Sequence, residues 1–302
     1  MSELDVDSSI ISNKGPLYEL IGFLINDILS IQWLNLLITS VILLYNASVL
    51  NKMLIRNSAF NENTYVPAAL YIILSCFHET SYLLNAQLFA TSFILIGLNF
   101  LLQHIRFRSS DAIVLSLGFC IGLAMLFYIP NFWTLILVLL LFVFYSSTIG
   151  RRYILLLWGF LLSLLLAWLP YFYMNESEFL WQNLISSAFS FEFGQSNLIR
   201  LSLTLGVPLL ISLGVLFNNL SGVGKTNLQI TIKSVFGWLL FFGLLMTIFL
   251  SESEPFVGLV VIIPIAYLLT EKLLEIRRRW LAELLISGIL IIMLALTFWQ
   301  PL

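Results

Sequence analysis

From Asp111 to Arg152 the chain reads DAIVLSLGFCIGLAMLFYIPNFWTLILVLLLFVFYSSTIGRR. No charge follows Asp111 for roughly thirty-five positions, and the bilayer core takes about 20 helical residues to cross. Pro130 and Asn131, both turn formers, break the run in its middle. The pattern predicts two helices joined by a very tight turn. The rest of the chain repeats such segments. Leu17 to Leu29 is apolar but short and carries Glu19 and Asp27, which predicts a helix lying in the membrane interface. Spans are predicted at Ile31–Leu50, Tyr65–Phe77, Leu83–Gln103, the two arms of the hairpin, Tyr153–Tyr173, Leu198–Phe217, Val235–Leu250, Val257–Thr270 and Trp280–Trp299. The second of these is short. Between Met174 and Asn197 the aromatics Phe179, Trp181, Phe189, Phe191 and Phe193 predict a further interfacial helix.

These segments imply an all-α, polytopic helical bundle of about ten transmembrane helices plus interfacial helices, forming one membrane domain over residues 1–302. Within it, 1–30 is a polar segment with the interfacial helix, 31–173 a first helical region, 174–197 the aromatic loop and 198–302 a four-helix region. Composition agrees: 60% of residues are hydrophobic and 10% charged, against about 25% charged in soluble domains. The apolar runs are too long and unalternating for barrel strands. No basic tract suggests nucleic acid. Cys76 and Cys120 lie in apolar runs and read as core.

Charge then gives sidedness. Arg106 and Arg108 precede the hairpin and Arg151 and Arg152 follow it, so both its ends should face the cytoplasm. With the loops alternating from there, twelve of the fourteen Lys and Arg fall inside, all but Lys14 and Arg200, and eleven of the sixteen acids fall outside. The expected location is the bacterial inner membrane, multi-pass, with both termini periplasmic. An outer N-terminus that begins MSELDVDSS, acidic where a signal peptide is basic, leaves two readings: a first span upstream of this start, or a short translocated tail.

Candidate chemistry is sparse. GVGKT at Gly222–Thr226 has the ending of a phosphate loop, but Asn219 stands where the first glycine belongs and a span precedes it instead of a strand. The two histidines, His78 and His104, fall on opposite faces, which excludes a histidine-rich iron centre. His78 and Glu79 end the short second span, where a recessed cavity would make Glu79 a general base and His78 a phosphate partner; a solvated outer turn is the plain alternative. Asp5, Asp7, Glu19 and Asp27 are outer acids that could hold a divalent metal or deprotonate an acceptor, or that collect outside because basic residues are kept inside. Arg200 starts a span on the outer side, placed to clamp a lipid diphosphate or to snorkel. Arg277, Arg278 and Arg279 fit topology and anionic headgroups.

Four stretches follow in order: NTYVPAALYIILSCF, NAQLFATSFILIGLNFLLQHIR, LGFCIGLAMLFYIPNFWTLILVLLLFVF and RRYILLLWGFLLSLLLAWLPYFYM. With Asn63, Tyr65, Gly118, Gly122, Arg152, Gly159 and Pro170 as fixed points, they resemble an uncharacterised family of polytopic inner-membrane proteins common in Bacteroidota. More distantly the order is similar to the membrane module of GT-C-type glycosyltransferases, which take sugars from polyprenyl-phosphate donors on the outer face. That resemblance implies an essential acid in the first outer loop, for which Asp5, Asp7 and Asp27 are the candidates, though none stands in a paired motif. Three functions follow as expectations. One is a GT-C-like envelope enzyme on a polyprenyl-linked substrate, with His78, Glu79, Arg200 and an N-terminal acid around an outer cavity and a divalent metal as its one conceivable cofactor. Another is a non-catalytic subunit or scaffold with membrane lipids and other membrane subunits as partners. The third is a transporter, for which Glu283 is the one deep charge.

Overall fold

A computed structural model describes residues 14–29, 32–76, 84–107, 110–145, 150–189, 195–217, 225–249, 259–276 and 279–298. Among them the chain forms twelve α-helices: α1 Pro16–Leu29, α2 Gln32–Arg56, α3 Val66–Cys76, α4 Ala86–Phe107, α5 Asp111–Phe127, α6 Phe132–Tyr145, α7 Gly150–Tyr173, α8 Ser177–Ala188, α9 Gln195–Phe217, α10 Asn227–Phe249, α11 Leu259–Glu275 and α12 Arg279–Phe298. The all-α expectation holds for these residues, and the one extended pairing among them is an isolated bridge between Lys14 and Tyr128. Four helices, α2 from Trp33, α4, α7 and α10, are long and apolar enough to cross a membrane. Others fall short of the about 20 residues a crossing takes: α3 has 11 residues, α5 17, α6 14 and α11 17. At 1.5 Å per residue, α3 reaches only about 16 Å.

The hairpin is present. α5 and α6 meet through a 3-10 turn at Ile129–Asn131, with Pro130 in its first positions. The turn is buried: Ile129 and Asn131 have almost no accessible surface. Its polar groups are therefore satisfied internally, as a buried backbone requires. The Asn131 amide N–H donates to the Tyr128 carbonyl at 3.0 Å, and the Thr134 hydroxyl to the Asn131 carbonyl at 2.6 Å. Gly15 closes over the turn, its N–H donating to the Phe127 carbonyl at 2.9 Å. A Cβ on Gly15 would sit 2.0 Å from the Leu126 carbonyl oxygen, so only glycine allows this approach.

α5 packs most extensively on α7 and then on α4. Gly118 and Gly122 on α5 and Gly159 on α7 are the reason. At each, a Cβ would fall within about 2 Å of a neighbouring atom: the Leu156 carbonyl oxygen, Ser163 Oγ and the Leu115 carbonyl oxygen respectively. Small residues at one-turn spacing let two helices touch backbone to backbone, and packing drives association where lipid removes the hydrophobic force. α11 is the centre of the other half. Every residue from Leu259 to Glu271 is buried, and it packs against α3, α10, α9 and α4. A helix apolar on all sides belongs inside a bundle.

Polar contacts gather at two ends. At one end Arg106 donates to the Arg56 carbonyl, Arg151 and Arg152 pair with Asp111 at 3.1 and 3.5 Å, and Gln229 reaches Asn61 at 2.9 Å. At the other end the Tyr18 hydroxyl donates to the Leu84 carbonyl at 3.0 Å, the Trp133 indole to the Ala188 carbonyl at 3.1 Å, and the Leu84 N–H to Asn35 Oδ1 at 2.8 Å. Loops predicted to share one side thus meet at one end of the bundle.

Candidate functional site

The sequence-predicted site residues are not brought together in the described part. Asp5, Asp7, His78 and Glu79 lie outside the described residues. Asp27 falls within α1 and Arg200 within α9, but their side chains are likewise outside the description. Glu283, the deep charge expected of a transporter, is exposed on α12. His104 is buried in α4 and stacks on Phe142 with centroids 5.0 Å apart. Among the described residues no group of three His, Cys, Asp or Glu could hold a metal ion.

What the fold does assemble is a charged cleft at the end of α11. Glu271 sits one turn before that helix ends, and two lysines converge on its Oε1. Lys233, on α10, donates at 3.0 Å and is 3% exposed; Glu271 is 7% exposed. Lys225, ahead of α10, donates to the same oxygen and to Glu275 Oε1 at 3.0 Å. Burial works against the Lys225 charge, but the hydrogen bonds and charges of Glu271 and Glu275 outweigh it and hold the ammonium above its ordinary range. Lys272 adds an outer contact to Glu275 at 3.8 Å. The cleft has a volume of about 170 Å³; Asn61, Glu62 and Gln229 also line it, and Phe60 and Tyr267 form an aromatic wall. Phe60, Tyr267 and Phe236 stack in series, at 5.3 and 4.3 Å.

The start of α10 explains the phosphate-loop look of the sequence. Thr226 Oγ1 accepts the Gln229 N–H at 3.3 Å, and Gln229 Oε1 accepts the Thr226 N–H at 3.0 Å. That is a capping box, which satisfies two donors at a helix start. Lys225 and Thr226 are thus occupied with Glu271, Glu275 and the cap. Gln229 Nε2 then donates to Asn61 Oδ1, tying α10 to the loop between α2 and α3.

A second polar set lies at half height, on α2 and α3. The buried face of α2 carries Asn35, Thr39 and Asn46 at helical spacing among Leu43, Leu50 and Met53. Asn46, Tyr71 and Ser75 have no accessible surface. Electrostatically the Tyr71 hydroxyl faces the side chains of Asn46 and Ser75. Beyond this trio, the polar atoms of Asn46, the Tyr71 hydroxyl and Ser75 Oγ meet no hydrogen-bond partner among the described residues. A buried polar group left without a partner costs about 1–3 kcal/mol, so these three side chains depend on one another.

At the far end from the cleft, Glu19 lies in the first turn of α1, and Tyr171 Oη donates to its Oε2 at 3.4 Å. Burial pushes the Glu19 carboxyl above its ordinary range, against the opposing pull of Tyr171 and Lys14.

The chain is therefore an integral-membrane type of all-α protein, with one charged cleft and one buried neutral polar cluster among its described residues. It belongs to DUF6427, a family of unknown function, whose model matches residues 7–301. No curated protein and no solved structure matches it.

Proposed function

We propose that this chain is a multi-pass protein of the bacterial inner membrane that passes a small polar solute through the bundle. The observation that carries the reading is the trio Asn46, Tyr71 and Ser75, fully buried between α2 and α3 and facing only one another. Unsatisfied polar groups in a hydrocarbon setting are costly and are retained where something polar visits. Transporters hold their sites near the midplane, beside short or interrupted helices, and α3, with 11 residues, is such a helix. The buried face of α2 continues the polar line towards the helix start, through Thr39 and Asn35.

The test is solute entry into proteoliposomes, followed by light scattering after an osmotic jump with a panel of small polar solutes: glycerol, urea, neutral amino acids and monosaccharides. At least one solute should enter faster than into empty liposomes, and Asn46→Leu, which fills the trio with an apolar side chain, should abolish the gain. Equal entry into loaded and empty liposomes for every solute removes the reading.

A second reading, the GT-C-like envelope enzyme on a polyprenyl-linked substrate, draws support from Glu19. It is an acid of the first predicted outer segment, seated against Tyr171 with a raised pKa, the condition of a carboxyl poised as general acid or base. Loss of sugar transfer from a polyprenyl-phosphate sugar in Glu19→Gln, at unchanged melting temperature, tests it.

A further inference from the structure

We infer that the cleft at the end of α11 is a binding site for an organic ammonium group. This assignment stands apart from the transport reading, because it concerns the charged end of the bundle and not the neutral trio at half height.

Three carboxylates line the cleft, Glu62, Glu271 and Glu275, against the single lining cation Lys225. Lys233 approaches Glu271 from α10, and Lys272 touches Glu275 without lining the cavity. The three lysines pair with Glu271 and Glu275, which leaves Glu62 as the lining carboxylate with no ion pair among the described residues. Glu271 offers a second open acceptor. Both lysines use its Oε1, while Oε2, on a side chain more than nine-tenths buried, has no donor. A buried carboxylate oxygen without a donor is costly. Two fixed lysines already hold the other oxygen, so Oε2 is the acceptor left open to an N–H or O–H donor.

Shape narrows the chemistry. A cavity of about 170 Å³ fits a compact group and excludes a nucleotide. Phe60 and Tyr267 line the same space; Tyr267 is stacked between Phe60 and Phe236, so Phe60 has the aromatic face left to attract a cation. A divalent metal is disfavoured. Lys225 donates to Glu271 and Glu275 at once and occupies the oxygens an ion would need, and no metal-type cluster is present among the described residues. An anion such as phosphate would meet three carboxylates. A primary amine satisfies each requirement: it donates to Glu271 Oε2, balances Glu62, and rests against Phe60. Such a group comes either on a free amine or on the headgroup of an aminophospholipid.

The test uses the purified full chain. In detergent, binding of ethanolamine, putrescine and spermidine is read by calorimetry and by melting temperature, with choline, inorganic phosphate and Mg²⁺ as comparators. In nanodiscs, phosphatidylethanolamine is compared with phosphatidylcholine. Binding of a primary amine, with choline weaker because it has no N–H to give, supports a free amine as ligand. Stabilisation by phosphatidylethanolamine alone, with no response to free amines, supports the lipid headgroup. In either case Glu62→Gln with Glu275→Gln should weaken binding about ten- to a hundredfold, the loss expected for charge-assisted hydrogen bonds. That double variant leaves the Lys233–Glu271 pair intact, so it separates lost binding from lost folding; Glu271→Gln is the second, harsher variant. Response to phosphate or Mg²⁺ in place of amines, no response to any amine or aminolipid, or undiminished binding in the Glu62/Glu275 variant overturns the assignment.

Discussion

Alanine at Gly159 would place its Cβ 2.1 Å from the Leu115 carbonyl oxygen and 2.9 Å from the Phe119 amide nitrogen on the facing helix α5. Both are backbone atoms, so no rotamer change relieves the clash. Reaching ordinary contact near 3.4 Å requires the helices to part by about 1.3 Å at their closest point. The same movement loosens Leu117 and Leu156, both buried there, and dispersion falls steeply over such a gap. Overpacking of this kind costs about 1–3 kcal/mol, and more where the backbone must move. At about 2–4 °C per kcal/mol for a chain of this size, the melting temperature should fall by about 5–10 °C. The assay is intrinsic-fluorescence melting in one detergent, with Gly150→Ala as control, since a Cβ there meets nothing within 4 Å. Gly122→Ala supplies an internal rescue. Its new Cβ meets Ser163 Oγ at 1.7 Å and Ser163 Cβ at 2.9 Å, so adding Ser163→Gly removes both atoms and should recover most of the loss. Gly159→Ala melting together with Gly150→Ala would refute the close α5–α7 contact.

Glu271→Gln leaves Lys233 buried without a carboxylate and should destabilise by about 3–5 kcal/mol, whereas Glu275→Gln, breaking only an exposed contact, should cost under about 1 kcal/mol; equal losses by thermal melting would contradict the buried pair. Thr226→Ala removes half of the capping box and should cost about 0.5–2 kcal/mol, with Thr226→Ser close to wild type. The raised Glu19 pKa means that the folded state binds a proton more tightly than the unfolded one. Its contribution is then greatest below the ordinary value of 4.5 and is lost as pH rises through the folded pKa, so wild type should lose stability relative to Glu19→Gln across that rise, and parallel melting curves would count against it. Lys225, held above 10.5, should stabilise fully below that pH and cease to do so as pH rises through its folded pKa; a Lys225→Met variant with an unchanged alkaline melting profile would contradict the pairing.

Hydropathy located the helices better than it located their ends. The ninth predicted span stops at Thr270, yet α11 continues to Glu275. The eighth begins at Val235, yet α10 begins at Asn227. In both cases apolar character ends where Glu271 and Lys233 begin, but each charge is neutralised by the other helix and the backbone continues unbroken. The hairpin was legible because proline and asparagine interrupt an uncharged run, a purely local signal. That its turn is buried was not legible, because burial comes from Gly15, more than a hundred residues upstream. Gly118, Gly122 and Gly159, first met as fixed points of a resemblance, turn out to be the contact surface between α5 and α7.

The two polar sites share one reason for having escaped a reading by sequence. Gln229 and Asn61 are 168 positions apart, Lys225 and Glu271 are 46, and Lys233 and Glu271 are 38. In the primary chain each lysine looks like an ordinary loop cation that sets topology, and each glutamate like the polar end of a span. Asn46, Tyr71 and Ser75 look weaker still, since none carries a charge and each is surrounded by apolar neighbours. A search for catalysis or transport that follows charge alone therefore turns to Glu283, which is exposed. In a bilayer a neutral amide without a partner already pays the desolvation cost that singles out a functional group. The stronger guide in such a chain is a run of Asn, Ser, Thr and Tyr at helical spacing on the apolar face. On α2 that run was present from the start, as Asn35, Thr39 and Asn46. It became informative only when α3 was seen to cover it, because burial, not residue type, separates a polar group that water satisfies from one that waits for a ligand.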